Sequence, residues 1–217
     1  MNKIPAPWNL QGKGYILIYR FKRQFVESEG RVPPFLHNQF AGGFGSVMLV
    51  DYTSSNAGPY GELLFIPGKF HHEGRKLNTI SQIYVSSMAS VVNGIENWAI
   101  PKELANFEFQ QLSSKKERVS VSKENENIAD LTLSTFGPSF PICTNLMPFP
   151  LVQLHNNQYF YTKFSGKGKG RLAKLENIEI NKSLFPGLSH VKPIFALKVE
   201  PFEIVFPVAK IEPAHLL

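Results

Sequence analysis

Short runs rich in aromatic and β-branched residues, each closed within a few positions by glycine, proline, asparagine or serine, recur along the whole chain. Runs this brief and this often broken are not amphipathic helices; their period-2 alternation is that of half-buried strands. Residues 14–21 (GYILIYRF), 45–52 (GSVMLVDY) and 60–70 (YGELLFIPGKF) are the first three, the last two joined by the turn-forming 53–59 (TSSNAGP). Residues 77–86 alternate in part, and 87–93 (SMASVVN) read as a short helix with Gly94 as its C-cap. Alternating runs follow at 107–112, 117–123 and 128–135. Residues 151–154 and 158–164 then flank an Asn156-Asn157 hairpin turn, and a long run at 194–208 is interrupted at Pro201.

This pattern predicts a mainly β fold with a few short helices, its antiparallel sheet closed or nearly closed into a barrel-like form that removes exposed edges. Eighteen Phe and seven Tyr against four Met suit an aromatic, strand-built interior. With 217 residues, 43% of them hydrophobic, the chain supports one core, so residues 1–217 are expected to form a single domain. The sixteen Pro and sixteen Gly are scattered, as turns between strands require, rather than gathered into a linker.

The formal net charge of +6 raises the question of an anionic partner. The basic residues are dispersed, however, and no nucleic-acid motif accompanies them, so no nucleic-acid partner is expected. The N-terminal residues lack the apolar core of a signal peptide, and no run reaches transmembrane length. A cytoplasmic protein without a membrane partner is the default expectation. The one cysteine, Cys143, lies in an apolar context (PICTNL) that reads as a buried structural thiol. Adjacent His71 and His72 point apart on a strand and lack a third ligand at a recognised spacing, so no metal site is expected. The Lys115-Lys116 pair sits in a polar turn. Residues 165–171 (SGKGKGR) lack Walker spacing and read as a flexible basic loop at a cavity mouth or subunit contact.

The segment 97–104 (NWAIPKEL) carries the most chemistry. A lysine amine is nucleophilic only when neutral, and an apolar pocket or nearby positive potential lowers its pKa towards neutrality. Trp98, Ile100, Leu104 and Phe107 offer Lys102 apolar surroundings, and Pro101 suits the first position of a helical turn over 101–105, near a positive dipole end. Spacing alone favours a blander alternative, a solvated lysine with its stem along the surface. Glu62 likewise reads either as a site acid or as a satisfied carboxylate or edge-strand gatekeeper.

Residues 93–105 (NGIENWAIPKELA) resemble the lysine motif of the acetoacetate decarboxylase family, and 58–64 (GPYGELL) followed by 81–86 (SQIYVS) resemble the segments ahead of it. Residues 168–172 (GKGRL) and 184–188 (LFPGL) are similar to the family's last third, so the likeness spans almost the whole chain. The resemblance implies a β-rich fold around an apolar cavity, with Lys102 forming a Schiff base with a keto acid or other small carbonyl substrate. It also implies Glu62 as acid/base or orienting group, Tyr60 and Trp98 as cavity lining, no cofactor, and a homo-oligomer. Three departures qualify it. Glu103 stands where the family has a second lysine. The second pocket glutamate aligns near Val47 or Met48, and the substrate-binding arginine falls near Gly12, with Lys13 the only cation close by. Aldol, dehydration or retro-aldol chemistry is therefore as consistent as decarboxylation, and the alternative is a non-catalytic cavity protein holding a small apolar ligand.

Overall fold

The computed structural model describes residues 2–146 and 148–214. In chain order its elements are β1 (Trp8–Tyr19), α1 (Arg23–Glu29), a 3-10 turn at Pro34–Leu36, β2 (Phe40–Gly42), β3 (Gly45–Ser54), β4 (Tyr60–Ile66), β5 (Lys69–His72), β6 (Arg75–Asn78) and β7 (Gln82–Val85). Then come α2 (Met88–Trp98), β8 (Lys102–Leu104), β9 (Asn106–Ser113), β10 (Lys116–Lys123), β11 (Glu126–Cys143), β12 (Leu151–His155) and β13 (Gln158–Thr162). The chain ends with β14 (Ser165–Ile180), β15 (Phe195–Phe206) and β16 (Lys210–Pro213). The fold is mainly β, as expected.

A ten-stranded sheet runs β8-β7-β4-β3-β1-β15-β14-β11-β10-β9, and a six-stranded sheet runs β16-β13-β12-β6-β5-β2. Its edge strands β8 and β9 are consecutive in the chain, separated only by Ala105, so the large sheet must curl until its two edges approach. They do not pair with each other, which makes the sheet nearly closed rather than a closed barrel.

Alternation divides the large sheet's side chains between two cores. Tyr15, Leu17, Leu49, Leu63 and Phe65 share the concave interior with Val119 and Val121 from β10. The residues between them, including Ile18, Val50, Tyr52, Tyr60, Leu64 and Ile66, face outward into a second core with Trp98, Ile100 and Phe160. Every residue of β4 is therefore buried, since both its faces are covered.

Several local expectations are corrected. Residues 60–70 form two strands in different sheets, because Pro67-Gly68 breaks the run and Gly68 takes a φ of 144°. Residues 77–86 likewise split between β6 and β7. Pro201 does not interrupt β15: it sits where the registers with both β1 and β14 shift, a bulge at which its missing N–H costs no ladder bond. The basic segment 165–171 is the first part of β14, not a loop. A Cβ at Gly168 would lie 2.7 Å from the Pro201 carbonyl oxygen, so the glycines permit close pairing while their neighbouring lysines project outward. Cys143 is exposed rather than buried, at the end of β11. The Asn156-Asn157 turn does join β12 to β13, both residues having positive φ (49° and 56°).

Candidate functional site

The outer core brings Lys102 and Glu62 together through sheet register. Glu62 pairs with Val85, and Ile83 pairs with Lys102, so the two lie on strands two places apart and offset along the sheet. Two strand spacings are roughly 10 Å, a gap two long side chains span by leaning towards each other. Lys102 Nζ donates to Glu62 Oε2 at 2.9 Å, with both side chains almost fully buried. Tyr52, on the neighbouring strand β3, donates its hydroxyl to Glu62 Oε1 at 3.1 Å, so both carboxylate oxygens have donors.

Helix α2 closes the site from above. Ser87 caps it, its side chain accepting from the Ser90 amide. Ser90, one turn in, accepts from Lys102 Nζ at 3.0 Å. Gly94 lies one further turn along the same face, and the methylene stem of Lys102 runs against it. A Cβ at Gly94 would fall 2.7 Å from Lys102 Cδ and 2.8 Å from Cε. Gly94 is thus an interior helix residue that clears a channel for the lysine, not the C-cap expected of it. The helix runs on to Trp98 and ends at Ala99, which takes the left-handed conformation at φ 55°. Lys102 itself begins β8, so the expected helical turn over 101–105, and the dipole end it would have supplied, is absent.

Apolar side chains enclose the charges. Trp8 and Trp98 meet edge to face at 5.0 Å between ring centroids, and the Trp98 indole N–H donates to the Pro207 carbonyl at 2.7 Å. Leu10, Leu64, Ile80, Ile83, Ile100 and Phe206 complete the wall, and the Tyr60 ring centroid lies 5.2 Å from Lys102 Nζ. The free space among these side chains is about 20 Å³, room for a water-sized group. Of the four expected apolar neighbours of Lys102, Trp98 and Ile100 line the site. Leu104 is exposed, and Phe107 packs on Gly61 from the concave side.

Burial alone would lower the Lys102 pKa, but Glu62 and then Tyr60 more than offset it, and the amine is held above the ordinary lysine value as an ammonium. Burial, with the Glu62 charge beside it, pushes the Tyr52 hydroxyl well up and keeps it a donor. Glu103 points away from Lys102, as consecutive residues on a strand do, and pairs with Lys123 at 2.9 Å and Gln82 at 3.1 Å. Lys13 faces the concave interior with Glu117 at 3.3 Å and does not approach the site. Val47 lies in the concave core, while Met48 packs on the outer one, so neither position supplies a second acid. His72 is buried with its Nε2 3.0 Å from the Tyr161 hydroxyl, and His71 is exposed, the two pointing apart as expected.

The site thus unites all four residues singled out in the sequence, Lys102, Glu62, Tyr60 and Trp98, and adds Ser90 and Tyr52, which that reading missed. The spacing of Ser87, Ser90 and Gly94 on one helix held a signal for Ser90. Tyr52 is directly opposite Tyr60 in the β3–β4 register, which requires knowing the strand pairing.

Comparison with known proteins identifies the fold and the family. The chain is similar to the crystal structure of acetoacetate decarboxylase from Legionella pneumophila subsp. pneumophila str. Philadelphia 1, with a TM-score of 0.78 and 15% identity, covering 100% of this chain and 92% of that one. It is similar to the enduracididine biosynthesis enzyme MppR, complexed with the condensation product of pyruvate and imidazole 4-carboxaldehyde, at a TM-score of 0.60 and 12% identity over 96% of this chain and 89% of the other. An acetoacetate decarboxylase-like enzyme from Sphingomonas wittichii RW1 matches at a TM-score of 0.65 and 11% identity, over 97% and 94%. No curated protein matches significantly in sequence. The family model described as acetoacetate decarboxylase (ADC) matches residues 3–142, a span that contains Glu62, Ser90 and Lys102. The chain belongs to the acetoacetate decarboxylase family.

Proposed function

We propose that this protein is an acetoacetate decarboxylase-like enzyme in which Lys102 forms a Schiff base with a carbonyl substrate. The observation that carries the reading is a buried amine, enclosed by apolar side chains, with a carboxylate 2.9 Å away. At rest the pair is ammonium and carboxylate. A substrate that expels water weakens the charge-separated form, and Glu62 accepts a proton from Lys102 directly. The freed lone pair attacks the carbonyl carbon. Glu62 returns that proton to the oxygen, then carries a second one from the nitrogen to the resulting hydroxyl; water leaves, and a protonated imine remains.

That iminium accepts the electron pair of a breaking bond at the neighbouring carbon, so the scheme calls on no cofactor. Loss of carbon dioxide and aldol or dehydration steps share this intermediate, and a neighbour of the same fold, MppR, is seen with a condensation product. Ser90 holds the amine in line, and Tyr52 orients Glu62. Tyr60 and Trp98 line the substrate's path. Incubation with a broad carbonyl panel and cyanoborohydride, followed by peptide mass spectrometry, is expected to find the reduced adduct on Lys102. Its absence with every member sinks the covalent mechanism.

The tight apolar lining supports a second reading, a cavity protein that only binds an apolar ligand. Ligand retained unchanged by Lys102→Ala in native mass spectrometry would favour that reading.

A further inference from the structure

The charge inventory of the pocket restricts what it can admit. Among the described residues lining it, Lys102 is the only cation and Glu62 the only anion, so the resting site is electrically neutral. Lys13, the only cation close to where the family's substrate-binding arginine falls, is on the opposite face of the sheet, tied to Glu117 at 3.3 Å and Asp51 at 3.7 Å. The remaining polar groups at the amine are hydroxyls, and each is already engaged or adjoins the pair: Tyr52 donates to Glu62, Ser90 accepts from Lys102, and Tyr60 stacks its ring beside the amine.

A keto acid would bring a second carboxylate into this enclosure. Two anions would then share one ammonium in an apolar setting, where an unpaired charge is strongly penalised. The second anion would also hold the proton on Lys102, opposing formation of the nucleophile. A neutral aldehyde or ketone does neither. For it the overall step is balanced without any new charge: the lysine ammonium and the carbonyl yield a protonated imine and one water, with the Glu62 carboxylate alongside before and after.

Resting on the Schiff-base reading above, we propose that the Lys102 site is specific for neutral aldehydes and ketones with apolar substituents and discriminates against keto acids. The discrimination arises at Glu62, because it is the charge that a substrate carboxylate would have to share with.

The test uses matched pairs on the full chain: acetoacetate against methyl acetoacetate, and 4-oxopentanoate against pentan-2-one. Each is trapped with cyanoborohydride under limiting conditions, with adduct on Lys102 quantified by mass spectrometry and each ratio normalised to the same pair's reaction with butylamine. Neutral partners are expected to label Lys102 at least about tenfold faster, equivalent to about 1.4 kcal/mol. Equal labelling, or faster labelling by the acids, overturns the selectivity while leaving the imine mechanism standing. No adduct from any of the four removes the imine reading, and the proposal with it. In Glu62→Gln, whose fold is checked by circular dichroism, the neutral-to-acid ratio is expected to fall by about tenfold even if all rates slow, since the substrate carboxylate then has no second anion with which to share the amine. A ratio unchanged by that substitution overturns the assignment to Glu62.

Discussion

At the scale of single residues, the Lys102–Glu62 pair joins stability to reactivity. Each group is buried too deeply to stand alone, so Lys102→Met should cost about 3–5 kcal/mol in urea unfolding, because it strands the carboxylate. Lys102→Met combined with Glu62→Gln should recover most of that loss, and the Glu62→Gln single variant completes the cycle that gives the coupling between the two. The pH dependence has a definite sign. Lys102 is held above its ordinary value of 10.5, so the pair's contribution is complete below about that pH and is lost as pH rises through the higher folded-state value. The stability gap between the native chain and the double variant should therefore be flat from neutrality to about pH 10 and shift towards the variant beyond it. A gap that changes instead between pH 6 and 8 would mean that the lysine rests neutral. The sequence made the pocket's apolar character legible through Trp98 and Ile100. It did not reveal that the resting amine stays charged, because that outcome depends on a carboxylate brought close only by strand register.

At the scale of elements, α2 shows why a glycine can carry opposite meanings. Gly94 was read as a helix end because glycine commonly ends helices, yet the chain remains helical through it. Its place is set by the lysine stem packed against it, a tertiary contact that no local pattern encodes. In an exposed helix, glycine to alanine would gain up to about 1 kcal/mol. Here Gly94→Ala should instead lower the urea midpoint and slow trapping at Lys102, since the new Cβ occupies the path of Cδ. Ala99→Gly, at the actual left-handed cap, should leave stability unchanged or raise it by up to about 1 kcal/mol, the relief of φ 55° partly offset by lost methyl burial. Opposite outcomes five residues apart would separate channel from cap. If Gly94→Ala stabilises the protein and traps normally, Lys102 does not run against the helix. The strand-to-strand breaks were only partly legible for a related reason. Pro67-Gly68 is a visible breaker, but that it transfers the chain from one sheet to the other depends on partners far away in sequence.

At the scale of the whole molecule, the curl of the large sheet is what separates the site from the rest of the core. Strand β10 stands four places from β1 in the sheet order, which in a flat sheet would be roughly 19 Å. Yet Glu117 on β10 is within 3.3 Å of Lys13 on β1 and 3.8 Å of Lys198 on β15, across the concave interior. The alternating runs and the scattered breakers made a curled, edge-hiding sheet legible in advance, whereas these cross-interior ion pairs required the curvature itself. Glu117 is buried while Lys13 retains partial access to water, so the lysine can re-solvate when its partner is removed. Glu117→Gln should therefore cost only about 1–2 kcal/mol of unfolding free energy, with the loss smaller at high salt. Because Glu117 faces the concave core and Lys102 the outer one, the same substitution should leave the rate of adduct formation at Lys102 unchanged under conditions where the protein is fully folded. A slowed reaction without unfolding would show that the two cores act as one unit, and that the curvature clamped by Glu117 also sets the distance between Lys102 and Glu62.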